Sequence, residues 1–158
     1  MASDESGRLA GGLAAFPREK MALRCGPFRL HELADRFGTP LYLYSMDFIR
    51  SRFQEVGEAI ASANPHIAYS VKANGNLGLL NRLAAMGSGA DIVSGGELFR
   101  ALNAGITPGK ILFAGVGKTN EELKAGLDAR IYSFNVETID ELHRLDDLAT
   151  ELGARASF

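Results

Sequence analysis

A single lysine ends a short apolar run near the middle of this sequence. Lys72 follows Tyr69–Val71 and is followed at once by Ala73, Asn74 and a glycine. A run of this length that ends on a charged residue predicts a β-strand that delivers the lysine amine to the edge of a sheet. Beside apolar neighbours the amine would be partly buried and could attack a carbonyl or an aldehyde. The alternative is a solvated lysine at the end of a strand.

Other polar residues follow the neighbouring predicted strands. Asp91 lies within or at the end of the second strand, Gly115–Thr119 follow the third, and Asn135 follows the fourth. In a parallel barrel sheet, residues at the carboxyl ends of the strands share one face, so these positions would lie on the same side as Lys72. An aspartate there could orient the lysine, or it could bond only to loop backbone.

Two other kinds of chemistry are disfavoured. The segment Gly115–Thr119 ends in Gly-Lys-Thr, but the phosphate-loop pattern also needs a glycine at position 112, which is leucine. Nucleotide hydrolysis is therefore not predicted, and Lys118 is interpreted as a solvated residue at a helix start. The three histidines are scattered, and no cluster has metal-ligand spacing, so no metal site is predicted.

Four strand–helix units of similar length would position these residues. The predicted strands are Ile67–Val71, Ala90–Val93, Ile111–Phe113 and Ile131–Phe134. Their spacing of about 20 residues fits one strand and one helix, which predicts right-handed βα units, a parallel sheet and an α/β fold. A closed barrel needs about 200 residues or more. We therefore interpret the chain as a partial (β/α)8 TIM barrel with about four βα units; a complete flavodoxin-like sheet is the alternative.

Hydroxyl residues followed three positions later by glutamate mark three helix starts. They are Ser94–Glu97, Thr119–Glu122 and Thr138–Glu141. In such a capping box the hydroxyl and the carboxylate each accept a backbone N–H at their own helix start. Gly87 and Gly105 suit the ends of two of the helices. Nearer the start of the chain, helical spacing predicts a helix that stops at Gly38, followed by a short strand over Leu41–Tyr44.

Composition limits the class of protein. Hydrophobic residues make up 46% of the sequence and charged residues 23%, which is ordinary for a globular protein. The net charge of -2 offers no basic surface for nucleic acid or an anionic membrane. No apolar run reaches the roughly 20 residues of a membrane helix. The single cysteine, Cys25, excludes an internal disulfide and fits a reducing compartment, so a cytoplasmic location is expected.

The beginning of the chain lacks the regular pattern of the rest. Residues 1–27 are predicted to be an N-terminal tail, and residues 28–158 the barrel portion. Asp4 and Glu5 precede the first apolar patch, which is not the charge pattern of a signal peptide. Met21 is an alternative start to Met1.

Five blocks of the sequence carry a resemblance to a known family. They are Leu33–Tyr42 (LADRFGTPLY), Tyr69–Asn74 (YSVKAN), Gly89–Leu98 (GADIVSGGEL), Phe113–Thr119 (FAGVGKT) and Phe134–Glu137 (FNVE). In this order they resemble the fold-type III decarboxylases, the ornithine/diaminopimelate/arginine decarboxylase group, which is built on an alanine-racemase-like barrel. The resemblance covers roughly residues 30–152. Two departures are Ser70, where alanine or proline is more common, and Ala114, where many relatives have histidine.

The resemblance implies a cofactor and a reaction. Pyridoxal 5'-phosphate would be held by Lys72 as the catalytic, cofactor-binding lysine, and Asp91 would lie close to it as a second cofactor-binding residue. The blocks are most similar to members that decarboxylate meso-diaminopimelate to L-lysine and CO2, the last step of lysine biosynthesis and a carbon–carbon lyase reaction. The alternatives are an ornithine or arginine decarboxylase, an alanine racemase relative, or a non-catalytic pyridoxal-phosphate-binding barrel protein.

The family also has parts with no counterpart in this sequence. These are the glycine-rich phosphate loop, the acidic partner of the pyridine nitrogen and the C-terminal β domain, which supplies residues across a dimer interface. The resemblance therefore implies that residues 28–158 are the N-terminal portion of the cofactor-binding barrel. The intact parent would be a homodimer acting on an amino acid, and this chain alone would be inactive.

Overall fold

A computed structural model describes residues 15–19 and 21–158 of the chain. The chain divides into two compact units, Met1–Ala61 and Ser62–Phe158. For residues 1–14 and 20, the prediction of a tail over residues 1–27 lies outside the described residues. The choice between Met1 and Met21 as the start stays a prediction. None of the helices in the described part has the length and apolar character needed to cross a bilayer.

The first unit contains a small antiparallel sheet and two helices. Its elements are β1 (Arg18–Glu19), β2 (Ala22–Cys25), β3 (Phe28–Arg29), α1 (Leu30–Phe37) and α2 (Met46–Ala59), with the strands in the order β1-β2-β3. Helix α1 ends as predicted, because the Gly38 N–H donates to the Ala34 carbonyl at 2.8 Å and the chain then leaves the helix. Strands β1 and β2 lie within the predicted tail. They are too short to produce an alternating pattern that a sequence would show.

The predicted strand over Leu41–Tyr44 is wrong. The side chains do alternate, with Leu41 and Leu43 half-buried and Tyr42 and Tyr44 exposed, as they would in a strand. However, none of the described strands pairs with this segment, so its backbone forms no ladder. Side-chain alternation predicted the burial correctly and the pairing incorrectly.

The second unit contains the four predicted strands and the helices between them. Its elements are β4 (Ala68–Ser70), α3 (Leu77–Ala85), β5 (Gly89–Ile92), α4 (Gly95–Asn103), β6 (Ile111–Phe113), α5 (Asn120–Ala129), β7 (Ser133–Phe134) and α6 (Ile139–Glu151). The strands are parallel and lie in chain order, β4-β5-β6-β7. This confirms the predicted parallel α/β sheet. Gly87 and Gly105 follow α3 and α4 with positive φ, also as predicted.

The core of this unit lies between one face of the sheet and the helices. Fully buried residues on that face include Ile92, Ile111 and Phe113, and they belong to the same cluster as Leu80 of α3 and Leu123 of α5. Burying a side chain of this size stabilises the fold by about 1.5–3 kcal/mol. Alternate strand residues therefore point to the opposite face of the sheet, where Asp91 and Leu112 are half-buried.

One glycine allows a close helix–strand contact. A Cβ atom at Gly126 of α5 would lie 2.6 Å from Cζ of Phe134 in β7, so a larger residue there would push the helix off the strand. On its other side β7 meets the last residues of the chain, because the Phe134 N–H donates to the Ser157 carbonyl at 2.8 Å.

Candidate functional site

The carboxyl ends of β4–β7 form one edge of the sheet, here called the carboxyl edge. Lys72 lies at this edge, as predicted, but not in a strand. Strand β4 ends at Ser70, and Val71–Ala73 form one 3-10 turn. Val71 is buried in the core with 1% of its surface exposed, whereas Lys72 is exposed. The expectation of a partly buried amine is therefore wrong for this structure, because the turn places Val71 in the core and leaves Lys72 exposed.

The amine of Lys72 has no partner in the described part of the chain. None of the hydrogen bonds or ion pairs among residues 15–19 and 21–158 involves its side chain. Its three donors are therefore available to solvent or to a ligand. Once it has lost a proton, such an amine can react with an aldehyde without first breaking a bond to any other described residue.

The backbone around Lys72 is fixed on the far side of the turn. Asn74 accepts the N–H of Asn76 on its side-chain oxygen at 2.9 Å. Asn76 in turn caps α3, accepting the Gly78 N–H at 2.9 Å. From α4, Arg100 donates to the Gly75 carbonyl at 3.3 Å. An exposed side chain thus stands on a turn whose exit is held by a helix cap.

Asp91 lies on the neighbouring strand, opposite Ser70 in the parallel register. The Ser70 hydroxyl donates to Oδ2 of Asp91 at 3.2 Å, and both side chains are half-buried. Asp91 alternates with Ala90 and Ile92, which face the helices, so it points to the opposite face of the sheet. No direct bond joins Asp91 to Lys72 within the described residues. The role of Asp91 toward the lysine stays a prediction.

The three predicted capping boxes differ in the hydrogen-bond partner of the glutamate carboxylate. In each, the hydroxyl accepts the backbone N–H three residues later. Only Thr119–Glu122 forms the reciprocal box, with the Thr119 N–H donating to the Glu122 carboxylate at 3.0 Å. Glu97 instead accepts the N–H of Val93 at 2.8 Å.

Glu122 serves two helix starts at once. Its second oxygen accepts the Gly95 N–H at the beginning of α4, at 2.8 Å. The backbone hydrogen bonds from Thr119 and Gly95 hold the pKa of the Glu122 carboxyl below its usual value, although partial burial acts in the opposite direction. One carboxylate therefore links the loop after β6 to the loop after β5.

The expectation that Lys118 is solvated is also wrong. Lys118 is 3% exposed, and its Nζ donates to the carbonyls of Gly115 and Asn135, each at 2.8 Å, and to Oε1 of Glu141 at 2.7 Å. The Glu141 carboxylate is thus used for an ion pair and not for its predicted capping box. We call Lys118, Glu141 and the two carbonyls the Lys118 clamp.

No local sequence pattern points to this clamp. Lys118 and Glu141 are 23 residues apart, and each also fits a common role at a helix start. The local signal is a charged residue near the N-cap of two successive helices, α5 and α6. That pattern is too common to identify a buried pair.

Other kinds of site are not found near the carboxyl edge. Among the described residues, no group of three or more His, Cys, Asp or Glu side chains could hold a metal ion. A cleft of about 470 Å³ is lined by residues such as Gly126, Phe134 and Arg155, and Lys72 is not among them. The chemistry available at Lys72 is therefore that of an open amine beside a Ser–Asp pair.

Comparison with known proteins places this arrangement in a family. Residues 46–157 match the family described as pyridoxal-dependent decarboxylase, pyridoxal binding domain. Both Lys72 and the Lys118 clamp lie inside the matched residues.

Individual relatives are diaminopimelate decarboxylases. The chain is 46% identical over 127 residues to the enzyme of Pseudomonas aeruginosa, covering 80% of this chain and 31% of the relative. It is 51% identical over 127 residues to that of Aquifex aeolicus, covering 80% and 30%. The crystal structure of the M. jannaschii enzyme in complex with L-lysine matches with a TM-score of 0.84 and 38% identity, covering 87% of this chain and 33% of that one. The chain thus spans about a third of the length of the curated relatives it matches.

Proposed function

The chain belongs to the pyridoxal-dependent decarboxylase family, and we propose that it carries the cofactor lysine of a diaminopimelate decarboxylase, with Lys72 in that role. The reaction would convert meso-diaminopimelate to L-lysine and CO2. Support for this substrate comes from two relatives named diaminopimelate decarboxylase, which are 46% and 51% identical to this chain.

The observation that carries the proposal is the availability of one amine at the carboxyl edge. Lys118 lies at the same edge, but its amine already donates to three acceptors in a buried site. Lys110 precedes β6 and donates to the Gly87 carbonyl at 2.9 Å. Lys72 is exposed and has no such partner among the described residues. An aldehyde cofactor needs an uncommitted amine with open approach, so Lys72 fits pyridoxal phosphate and Lys118 does not.

The chain's own residues would hold the cofactor and orient it. When bound, pyridoxal phosphate supplies the ring that accepts the electron pair left behind as CO2 departs. The Lys72 amine would hold the cofactor aldehyde and give up its place to the amino group of the substrate. Asp91, with its carboxylate fixed by the Ser70 hydroxyl, would add a negative group on the neighbouring strand that orients the lysine.

We expect the 158-residue chain alone to release no CO2 from meso-diaminopimelate. It spans about a third of its relatives, and the resemblance assigns phosphate binding and part of substrate recognition to segments with no counterpart here. A measurement of CO2 release from labelled substrate by the purified chain tests this. Turnover above a protein-free blank would contradict it.

The proposal extends to assembly and location. The intact protein would be a cytoplasmic homodimer that binds an amino-acid substrate and neither nucleic acid nor membrane. The net charge of -2 supports the expectation of no nucleic-acid or membrane partner, and the free Cys25 supports a reducing compartment. The homodimer rests on the family resemblance alone.

Attachment of the cofactor tests the central claim. The purified chain would be mixed with pyridoxal phosphate, reduced with borohydride to fix any lysine adduct, and digested for peptide mass spectrometry. We expect the modification on Lys72, and we expect Lys72→Ala to lose it. Lys124 is a matched control, because it is also exposed and has no side-chain partner among the described residues. Lys124→Ala should leave the labelling unchanged, and equal labelling of Lys72 and Lys124 in the wild type would refute the assignment.

A further inference from the structure

The strongest feature outside the proposed chemistry is the Lys118 clamp. A lysine ammonium has three N–H donors, and Lys118 uses each of them within 2.8 Å of an acceptor. Its Nζ also lies 5.9 Å from the centre of the Phe113 ring. The amine is saturated with protein contacts and is closed to solvent.

The three acceptors belong to three different segments. Gly115 lies in the loop after β6, Asn135 lies in the loop after β7, and Glu141 lies in the first turn of α6. A second side chain also joins α6 to the loop after β6, because Arg144 of α6 donates to the Lys118 carbonyl at 3.0 Å. One buried atom thus ties two loops of the carboxyl edge to one helix.

Stability alone does not explain a charged pair here. Taking two charges out of water is costly, and well-packed apolar residues in place of a buried ion pair are often as stabilising. An apolar pair could not, however, donate to the carbonyls of Gly115 and Asn135. The property that only the lysine provides is the fixed orientation of these two loop carbonyls.

The loop after β6 connects the clamp to the strand that carries Asp91. Gly115 has φ 86°, and a Cβ atom there would lie 3.0 Å from Cβ of Val93. Val93 directly follows β5, which contains Asp91. The loop is therefore seated between the clamp on one side and the end of β5 on the other.

We propose that Lys118 and Glu141 are positioning residues that hold the loops 114–119 and 135–138, and through Val93 the end of β5, in place at the carboxyl edge beside Lys72. The consequence at Lys72 rests on the proposed function. The positioning of the loops does not, and it can be measured without cofactor.

Amide hydrogen exchange of the 158-residue chain is the test. The variants are Lys118→Met, which removes all three donors, and Lys118→Met/Glu141→Leu, which replaces the pair by apolar residues and avoids a buried unpaired carboxylate. Lys124→Met is the matched control on the exposed face of α5. In the double variant we expect amides of loops 114–119 and 135–138 to exchange about tenfold faster, with α3 and β4 unchanged. The amides of Ala114 and Asn135, which donate to Ile92 and Phe113, are the most direct reporters.

Four results would separate positioning from general stability. Faster exchange confined to the two loops supports the proposal, and so does protection retained in Glu141→Gln, which keeps an acceptor for Lys118. Unchanged loops in the double variant would overturn it. An equal increase in every element would also overturn it, because that pattern reports a loss of global stability.

A cofactor measurement adds a second readout. Reductive labelling of Lys72 by pyridoxal phosphate should be slower or less selective in the double variant than in Lys124→Met. If the wild type is not labelled at Lys72, the proposed function fails, while the exchange data still decide on the clamp.

Discussion

Lys72 and Lys118 are the same residue type at the same edge of the sheet, and the fold treats them in opposite ways. Lys72 stands on a short turn beyond β4, exposed and without a side-chain partner in the described part of the chain. Lys118 follows β6, is 3% exposed and donates to three acceptors. Position at the carboxyl edge therefore does not decide the role of a lysine. The number of donors already used by the protein does.

Substitution of the two lysines should change the stability of the fold by very different amounts, with the large loss at Lys118. Lys118→Met leaves the Glu141 carboxylate buried without its ion pair, which should lower the free energy of unfolding by about 3–5 kcal/mol. Urea unfolding followed by circular dichroism measures this. The control Lys124→Met should stay within about 0.5 kcal/mol of wild type. A loss below about 1 kcal/mol for Lys118→Met would show that the clamp is solvated and that the contrast with Lys72 is smaller than the structure implies.

Two glycines in the loop before Lys118 give a finer comparison. Gly115 has φ 86° and Gly117 has φ 72°, so alanine is strained at both, at a cost of about 1–3 kcal/mol each. Only at Gly115 would the new Cβ also meet Val93, whereas no atom lies within 4 Å of a Cβ at Gly117. Thermal unfolding should therefore show a larger loss for Gly115→Ala than for Gly117→Ala. Equal losses would mean that contact with β5 does not hold the loop.

Glu122 extends the comparison to pH. Its folded pKa is lowered by backbone hydrogen bonds, so its stabilising contribution is full above the ordinary glutamate value of about 4.3 and is lost as the pH falls through the lower folded pKa. At neutral pH, Glu122→Gln should cost about 0.5–1 kcal/mol, because the carboxylate lies at the starts of two helices.

The matched measurement is urea unfolding of wild type and Glu122→Gln across the acid range. The difference in unfolding free energy between them should shrink toward zero below the folded pKa. Glu137→Gln, at an exposed glutamate, is the control for the substitution itself. A difference that is constant with pH would contradict the assignment.

The smallest effect on stability is expected at Lys72 itself. Lys72→Ala removes no side-chain hydrogen bond or ion pair within the described residues, so the free energy of unfolding should change by less than about 0.5 kcal/mol. The same variant should lose the lysine-bound cofactor. A variant that unfolds more easily than this would indicate that Lys72 has a structural role that the present contacts do not show.

Sequence patterns predicted the sheet better than they predicted the side chains at its edge. The four strands of the second unit were predictable because each is a short apolar run, set off by a cap such as Ser94 or Thr119 that marks the next helix. Local patterns are sufficient for such elements, since both the burial and the cap involve residues close in the chain. The edge position of Lys72 followed from the end of one of these runs.

The contacts that distinguish Lys72 from Lys118 could not be predicted in the same way. The Lys118–Glu141 pair and the Glu122–Gly95 bond join residues 23 and 27 positions apart. Their partners are set by the packing of α5 against α6 and by the position of α4, and not by local spacing. The strand predicted at Leu41–Tyr44 failed for a related reason, because strand formation needs a partner that alternation alone does not supply.

The order of the strands has a consequence for how the second unit is made. Because β4, β5, β6 and β7 lie side by side in chain order, each strand after β4 pairs with one that has already been synthesised. The four strands can therefore assemble from one edge as the polypeptide leaves the ribosome, and β5, β6 and β7 each find an earlier partner within the sheet. The Lys118 clamp closes only after these strands have formed, because α6 must emerge before Glu141 can reach the lysine. Until then, Lys118 is a second free amine at the growing edge.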